Sequence, residues 1–194
     1  MPTKSYTLIT NPTIGICFGH QIISCALGGE CVLNGEDGGI WELGPTKIHL
    51  TEIGKQLFGS CDTLVCRTKL NSYIQPFTIP ILLSKNIQQM HRDHVPTVPP
   101  TFHLLGSSPT SHNQGMVRFS SGANPSTPLP PIQIITTQGH PEFNEPIVTA
   151  IIEQRSQSGA ISKEAAAEAE TRRFLKTDGV DVIGKAIWEI LLQK

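Results

Sequence analysis

Residues 13–25 read TIGICFGHQIISC, a stretch that sets one cysteine, Cys17, between two glycines. Ile14, Gly15 and Ile16 form a short apolar run ahead of it. After it Phe18, Ile22, Ile23, Ala26 and Leu27 recur at helical spacing until Gly28 and Gly29 end the pattern. The spacing predicts a strand, a tight turn and a helix, with Cys17 at the turn. A G-x-C-x-G frame holds a nucleophile on such a turn, its glycines removing side chains that would clash with strained backbone. The helix aims unpaired N–H groups and the positive end of its dipole at the sulfur, lowering a thiol pKa of about 8.5 toward the reactive range, so that thiolate is the expected working form. The same groups can hold an oxyanion, and the N–H of Phe18, next after the cysteine, is best placed to do so. From the elbow alone, a buried structural cysteine at a strand end is an equal reading.

A second element bears on that choice. Residues 132–137, IQIITT, read as a strand, and QGHPEF at 138–143 closes it with a sharp turn. His140 and Glu142 stand two apart on extended backbone, so they face one side, and Pro141 restrains the chain between them. His140 can take the thiol proton while Glu142 holds its tautomer. An isolated H-x-E is most often a turn histidine beside a solvated glutamate; the two motifs together favour a catalytic triad.

The remaining segments alternate strand and helix signals. GIWELGPTKIHLTEIG, with alternation over Lys47, Ile48, His49 and Leu50, predicts strands joined by glycine turns. Residues 67–85 show neither periodicity. Residues 95–131, rich in Pro, Ser and Gly, predict loop with short strands around 102–105 and 115–119. Pro146 opens a helix whose face is Ile147, Ala150 and Ile151. Ser162 caps the alanine-rich run KEAAAEAETRRF. After Asp178 a last helix carries Ile183, Ala186, Ile187, Ile190 and Leu191 in one stripe.

The 194 residues, 38% hydrophobic with net charge -1, fit one globular domain. Fifteen basic against sixteen acidic residues leave no field for nucleic acid or anionic lipid, so both are disfavoured as partners. No apolar run approaches the roughly 20 residues of a spanning helix, and MPTKSYTLITNP lacks a signal-peptide core; the expectation is cytoplasmic. Five cysteines at irregular spacing suit a reducing compartment. Cys61 and Cys66 have no matching pair at zinc-site spacing, and a metal site is not expected. No organic cofactor is expected either, since thioester chemistry needs none.

At these two sites the sequence resembles the class I glutamine amidotransferases, whose signature joins G-[IV]-C-x-G-x-Q, here Gly15 to Gln21, to a later H-x-E, here His140 to Glu142. WELG at 41–44, LTEIGKQLFG at 50–59, MHRDHV at 90–95, Gln114-Gly115 and Asp178-Gly179 are similar to a stand-alone fungal and plant branch that includes γ-glutamyl peptidases acting on glutathione conjugates. The resemblance implies a flavodoxin-like α/β domain with a central, mostly parallel sheet over 1–194. It also implies Cys17 as nucleophile toward a glutamine side-chain amide, His140 as general base and Glu142 as its orienter. Gln21 would touch the substrate glutamine, and Arg92 and Asp93 would line the position of its α-amino and α-carboxyl end. A solvated polar turn at HRDH is an equal reading, and a metal site at His91 and His94 a weaker one. Trp41 is read as core or interface packing and His20 as a structural group.

Family members carry several strands and helices before the nucleophile, where this chain has sixteen residues. The expected domain is therefore N-terminally incomplete, its missing strands taking with them the loop of the second oxyanion donor. Residues 67–85 match nothing in the family and read as an insertion. A lost first exon and a retained intron would produce both. Three functions are carried forward: a glutaminase-type amidotransferase giving ammonia to a synthase in trans, a γ-glutamyl peptidase, and a non-catalytic remnant or binding module.

Overall fold

A computed structural model describes residues 11–35, 39–59, 84–120 and 123–192. The strand, turn and helix around Cys17 form as the spacing predicts: β1 (Thr13–Ile16) leads through the cysteine into α1 (Phe18–Ala26). The face of α1 is not the predicted one. Phe18 and Ile22 are exposed, while His20, Gln21 and Ser24 are buried, with Ile23 and Leu27 half-buried against Phe102, Met116 and Ile134. Polar groups hold the inward face because His20 and Gln21 find hydrogen-bond partners there, described below.

The chain continues through β2 (Val32–Leu33), β3 (Glu42–Leu50), α2 (Glu52–Phe58), β4 (Ser84–His91), β5 (Asp93–His94), β6 (His103–Ser107), β7 (Gly115–Phe119) and β8 (Ile132–Thr137). The predicted strands near 102–105 and 115–119 are β6 and β7. The glycine turns expected in 39–54 do not form. Gly44 takes a positive φ of 68° inside one continuous strand, and Gly54 lies within α2, where a Cβ would collide with the Leu105 carbonyl oxygen. Thr51 starts that helix, accepting from the Gly54 N–H and donating to the Leu104 carbonyl. Residues 67–83, most of the expected insertion, lie outside the described residues.

Six strands form one sheet in the order β1-β8-β7-β6-β3-β4. Among the described residues only β1 and β8 run parallel, Thr13 opposite Ile134 through Ile16 opposite Thr137; the other four pairings of this sheet are antiparallel. The expectation of a mostly parallel sheet is therefore corrected to a mixed, mostly antiparallel one. Parallel pairing requires a long crossover, which the connection from Ile16 to Ile132 supplies for β1 and β8, whereas β6, β7 and β8 follow one another in the chain and pair antiparallel.

The helices that complete the fold are α3 (Glu145–Gln157), α4 (Lys163–Arg172), a π-helical turn (Gly179–Gly184) and α5 (Lys185–Leu192). Ser162 caps α4, its Oγ accepting from the Ala165 N–H at 3.1 Å. On α3 the buried position is Val148, with Ile151 and Ile152 half-buried, whereas Ile147 and Ala150 face solvent, one step round from the predicted stripe. The π-helical turn buries Ile183 and α5 buries Ile187 and Ile190, as the predicted stripe has it, while Leu191 is exposed.

Alternation along the strands sends neighbours to opposite faces. Val117 and Ile135 join Ile48, Phe58, Ile87 and Leu105 in the core beneath α2 and α5, while Met116 and Ile134 pack toward α1. Leu43, Met90, Val148, Ile161 and Ala169 form a third cluster under α3 and α4. The pairing of β1 with β8 brings the cysteine turn and the H-x-E turn to the same end of adjacent strands.

Candidate active site

Cys17 has φ 50° and ψ −102°, one of two positive-φ non-glycine residues among those described. Such a conformation costs roughly 1–3 kcal/mol and persists only where its surroundings impose it. Here the Cys17 N–H donates to the Thr137 carbonyl at 2.9 Å on β8, and its own carbonyl accepts from the Gln21 N–H at 3.1 Å on α1. The two flanking glycines differ. A Cβ on Gly15 would stand 2.7 Å from the Gly19 carbonyl oxygen and from the Ile23 side chain, whereas one on Gly19 would meet nothing among the described residues. Close approach of helix to strand therefore requires Gly15 and not Gly19.

The electrostatics at the sulfur correct an expectation. Burial, first, raises the Cys17 thiol above its ordinary value, and the charges of Glu142 and Asp93 add to this; the Phe18 N–H and Gln138 work against it and do not prevail. The resting form is the thiol, and a base must take its proton when the sulfur attacks.

His140 Nδ1 lies 2.8 Å from Glu142 Oε1, and its ring stacks on Phe143 with centroids 4.0 Å apart and 4° between planes. The turn that carries them is held on several sides. The His140 N–H donates to the Gln88 carbonyl on β4 at 2.8 Å, and Thr137 Oγ1 donates to the Gly139 carbonyl at 2.9 Å. A Cβ on Gly179 would meet the Pro141 carbonyl oxygen at 2.6 Å, so the start of the π-helical turn sits directly on this loop. Asp178 ties the same segment to β4, Oδ2 accepting from the Asn86 N–H at 2.9 Å and its own N–H donating to the Asn86 carbonyl at 2.7 Å.

Gln21, buried, donates to the Asp93 carbonyl at 2.8 Å and lies 3.3 Å from Gln138 Oε1. Gln138, fully buried, places Nε2 3.8 Å from Cys17 Sγ. It was missed by sequence reading, which treated it only as the opening of a turn; its position directly after β8, beside the cysteine's strand, was the available signal. His20 is structural as expected. It is 0% exposed, its Nδ1 stands 2.7 Å from Thr136 Oγ1, and burial pushes its pKa down to about 3.

Behind the Asp93 carbonyl lies a second polar cluster that sequence reading also missed. His91 Nδ1 donates to that carbonyl at 3.0 Å, and its Nε2 stands 2.9 Å from Glu42 Oε2. Glu42 accepts from Ser108 Oγ and Gln114 Nε2, each at 2.6 Å. Burial alone would raise its carboxyl, yet His91, Ser108 and Gln114 hold it below the ordinary carboxylate range. His91 thus serves this cluster. Among the described residues no group of three His, Cys, Asp or Glu converges as metal ligands; Cys61 and Cys66 lie outside them.

A cleft of about 370 Å³ opens at Cys17, its walls including Gln21, Asp93, Arg92, Trp41 and Arg155. Trp41 packs partly buried against the third cluster, as expected, and also lines the cleft, with the Arg92 and Arg155 guanidiniums 5.8 and 5.7 Å from its ring centroid. Among the described residues the structure brings Cys17, Gln21, Arg92 and Asp93 to one cleft, and sets the His140–Glu142 pair on the strand extension adjoining the cysteine.

No family model matches the chain. It is 29% identical over 180 residues to a glutamine amidotransferase-like protein of Schizosaccharomyces pombe, covering 93% of this chain and 57% of that one. It is 28% identical over 160 residues to gamma-glutamyl peptidase 3 of Arabidopsis thaliana, covering 81% and 51%. The chain thus spans little more than half the length of these relatives. The crystal structure of a glutamine amidotransferase from Thermotoga maritima matches the fold over 93% of this chain and 63% of that one, with a TM-score of 0.55 at 16% identity. No described helix is long and apolar enough to cross a membrane.

Proposed function

We propose that the chain, which is similar to a glutamine amidotransferase-like protein and to a γ-glutamyl peptidase, hydrolyses a γ-glutamyl amide through a thioester on Cys17. The observation that carries this reading is the positive-φ cysteine elbow, hydrogen-bonded to the strand whose extension bears the His140–Glu142 pair. With Nδ1 engaged by Glu142, Nε2 of His140 is the nitrogen for proton exchange. It takes the thiol proton as Sγ attacks the γ-carbonyl carbon, and the Phe18 N–H receives the oxyanion. The C–N bond then breaks as His140 returns the proton to the leaving amine. A water, giving its proton to His140, attacks the thioester; the S–C bond breaks, the thiol is reprotonated, and glutamate leaves. One water is consumed and one amine released.

Gln21 and Asp93 hold the glutamyl end, and Arg92 lines the same position. With glutamine the amine is ammonia, which a synthase in trans would consume. With a γ-glutamyl peptide the amine is an amino acid or peptide; the similarity to a plant γ-glutamyl peptidase favours this as the second reading.

Covalent labelling with a glutamine-analogue electrophile, read by intact mass, tests the proposal. Saturable addition of one label, lost in Cys17→Ala, is the expected result. A folded chain that takes up a general alkylating agent at its thiols but not the glutamine analogue would overturn it.

A further inference from the structure

Gln138 follows β8 directly and sets its Nε2 3.8 Å from Cys17 Sγ, within the longer reach of a hydrogen bond to sulfur. Its backbone is fixed on two sides. The Gln138 N–H donates to the Gln114 carbonyl at 3.0 Å, and the Thr137 carbonyl just before it accepts from the Cys17 N–H at 2.9 Å. The side chain is 0% exposed, so the end of its amide that faces the sulfur has energetic weight: a buried donor or acceptor left unmatched costs its full desolvation.

The orientation of that amide is dictated from outside it. A backbone carbonyl can only accept, so the Asp93 carbonyl draws the NH₂ of Gln21, at 2.8 Å, and not its oxygen. The same NH₂ lies 3.3 Å from Gln138 Oε1. With Oε1 engaged there, Gln138 is left to present its own NH₂ to the sulfur. Reversing it would set two NH₂ groups against each other and an oxygen against Sγ. The series starts at the ion pair behind Asp93: His91 Nδ1 donates to the same carbonyl at 3.0 Å, and its Nε2 lies 2.9 Å from Glu42 Oε2. Gln114, whose carbonyl holds the Gln138 N–H, donates to Glu42 at 2.6 Å. Polarity thus runs one way, from a buried carboxylate to the nucleophile.

A donor is what the sulfur lacks elsewhere. Burial opposes charge on Cys17, and Glu142 and Asp93 oppose it further. An N–H gains little from a neutral thiol, a weak acceptor, but makes a charge-assisted bond to a thiolate. We propose that Gln138 is a further catalytic residue, the side-chain donor that meets the negative charge on the Cys17 sulfur, with its orientation set by Gln21. This rests on Cys17 being the nucleophile, as proposed above, and deepens that reading. Gln138 makes and breaks no covalent bond. Its N–H meets the charge left on sulfur when His140 removes the proton, and meets it again when the S–C bond of the thioester breaks and the electron pair returns to sulfur.

The test is alkylation of Cys17 by a small neutral reagent across pH, read at the Cys17 peptide of the full chain by mass spectrometry. The charged or titratable groups that act on the sulfur or line its cleft are Asp93 on β5, Glu142 beyond β8 with its partner His140, Cys31 ahead of β2, and Arg92. None of them is changed in the variants. Gln138→Met fills the space without a donor and should move the inflection up by about one pH unit, or roughly tenfold less thiolate at a fixed pH below it. Gln138→Glu, with oxygen and charge toward Sγ, should move it further. Gln21→Met frees the Gln138 amide to turn and should give a smaller upward shift, which vanishes when it is added to Gln138→Met because the two act in series.

A Gln138 that served packing alone would lower the melting temperature of Gln138→Met and leave the inflection in place, and that result overturns the proposal. Additive shifts from Gln21 and Gln138 would overturn the orientation by Gln21. Where a variant does not fold, the Gln138 carboxamide carbon, followed by NMR in the unsubstituted chain, should titrate together with Cys17 alkylation and stop titrating in Cys17→Ser; a carbon indifferent to pH in that range sinks the proposal. Alkylation needs no substrate, so the two readings fail separately. An inflection that depends on Gln138 in a chain that the glutamine analogue does not label would end the hydrolase reading and leave the donor standing.

Discussion

Nδ1 of His140 lies 2.8 Å from Oε1 of Glu142, and the same imidazole stacks on Phe143. Orientation therefore has two sources, one charged and one steric. Glu142→Gln keeps the shape but presents an amide, whose NH₂ can donate to Nδ1 and leave the proton on Nε2, the wrong tautomer for a base. The expected outcome is a loss of about 100- to 10,000-fold in the rate of Cys17 acylation, by analogy with tautomer-breaking changes in other triads. Stopped-flow labelling would measure it. A loss under tenfold would mean that stacking on Phe143 suffices and the carboxylate is dispensable.

Cys17 rests as a thiol raised by burial and by two nearby carboxylates. Alkylation by a small neutral reagent follows the thiolate fraction, so its rate should still be climbing at pH values above the ordinary thiol range. Asp93→Asn removes one of the negative charges and should move the inflection to lower pH. A shift upward, or none, would show that Asp93 does not act on the sulfur.

His20 binds its proton only near pH 3 in the folded chain, against an ordinary value of 6.5. Between those limits the unfolded chain binds more protons, so stability is fully present above 6.5 and declines as pH falls toward 3. Glu42, held below the ordinary carboxylate range, contributes in the same direction at the acid end. Urea midpoints measured across this window should drop steadily with acidification. In His20→Gln the slope should flatten, and an unchanged slope would assign the acid sensitivity elsewhere.

Gly15 and Gly19 flank the cysteine symmetrically in sequence but not in space. Gly15→Ala places a Cβ against the Gly19 carbonyl and Ile23, and should destabilise by about 1–3 kcal/mol, the usual cost of overpacking. Gly19→Ala meets open space among the described residues inside α1, where alanine gains roughly 0.5–1 kcal/mol over glycine. Thermal melts of the two variants should therefore move in opposite directions. Equal destabilisation would mean that the elbow needs both glycines.

Gly179 bears on the other half of the site, since a Cβ there collides with the Pro141 carbonyl. Gly179→Ala should displace the His140 turn and lower acylation more than Gly19→Ala does, though Gly179 lies far from Cys17 in sequence. Acylation rates equal to those of the unsubstituted chain would show that the loop absorbs the change.

Local rules were enough to read the strand, turn and helix at Cys17, the strand ending at Thr137, the Ser162 cap and the Ile183, Ile187 and Ile190 stripe. Each rests on contacts or hydrogen bonds between residues close in sequence, and so does the H-x-E pair. What local rules could not reach was pairing and register. Whether β1 meets β8, and whether the remaining strands run parallel or antiparallel, depends on connections spanning much of the chain, so the sheet came out mixed where a parallel one was expected. The polar face of α1 was hidden for the same reason: His20 and Gln21 are inward because Thr136 and Asp93 wait for them, 116 and 72 residues away. Gln138 beside the sulfur, the Glu42–His91 pair and the Arg92–Trp41–Arg155 wall are likewise meetings of distant segments. The sequence by itself determined which side chains could do the chemistry; tertiary structure decided the thiol's environment and the company each side chain keeps, because burial and charge at a point are sums over everything the fold brings there.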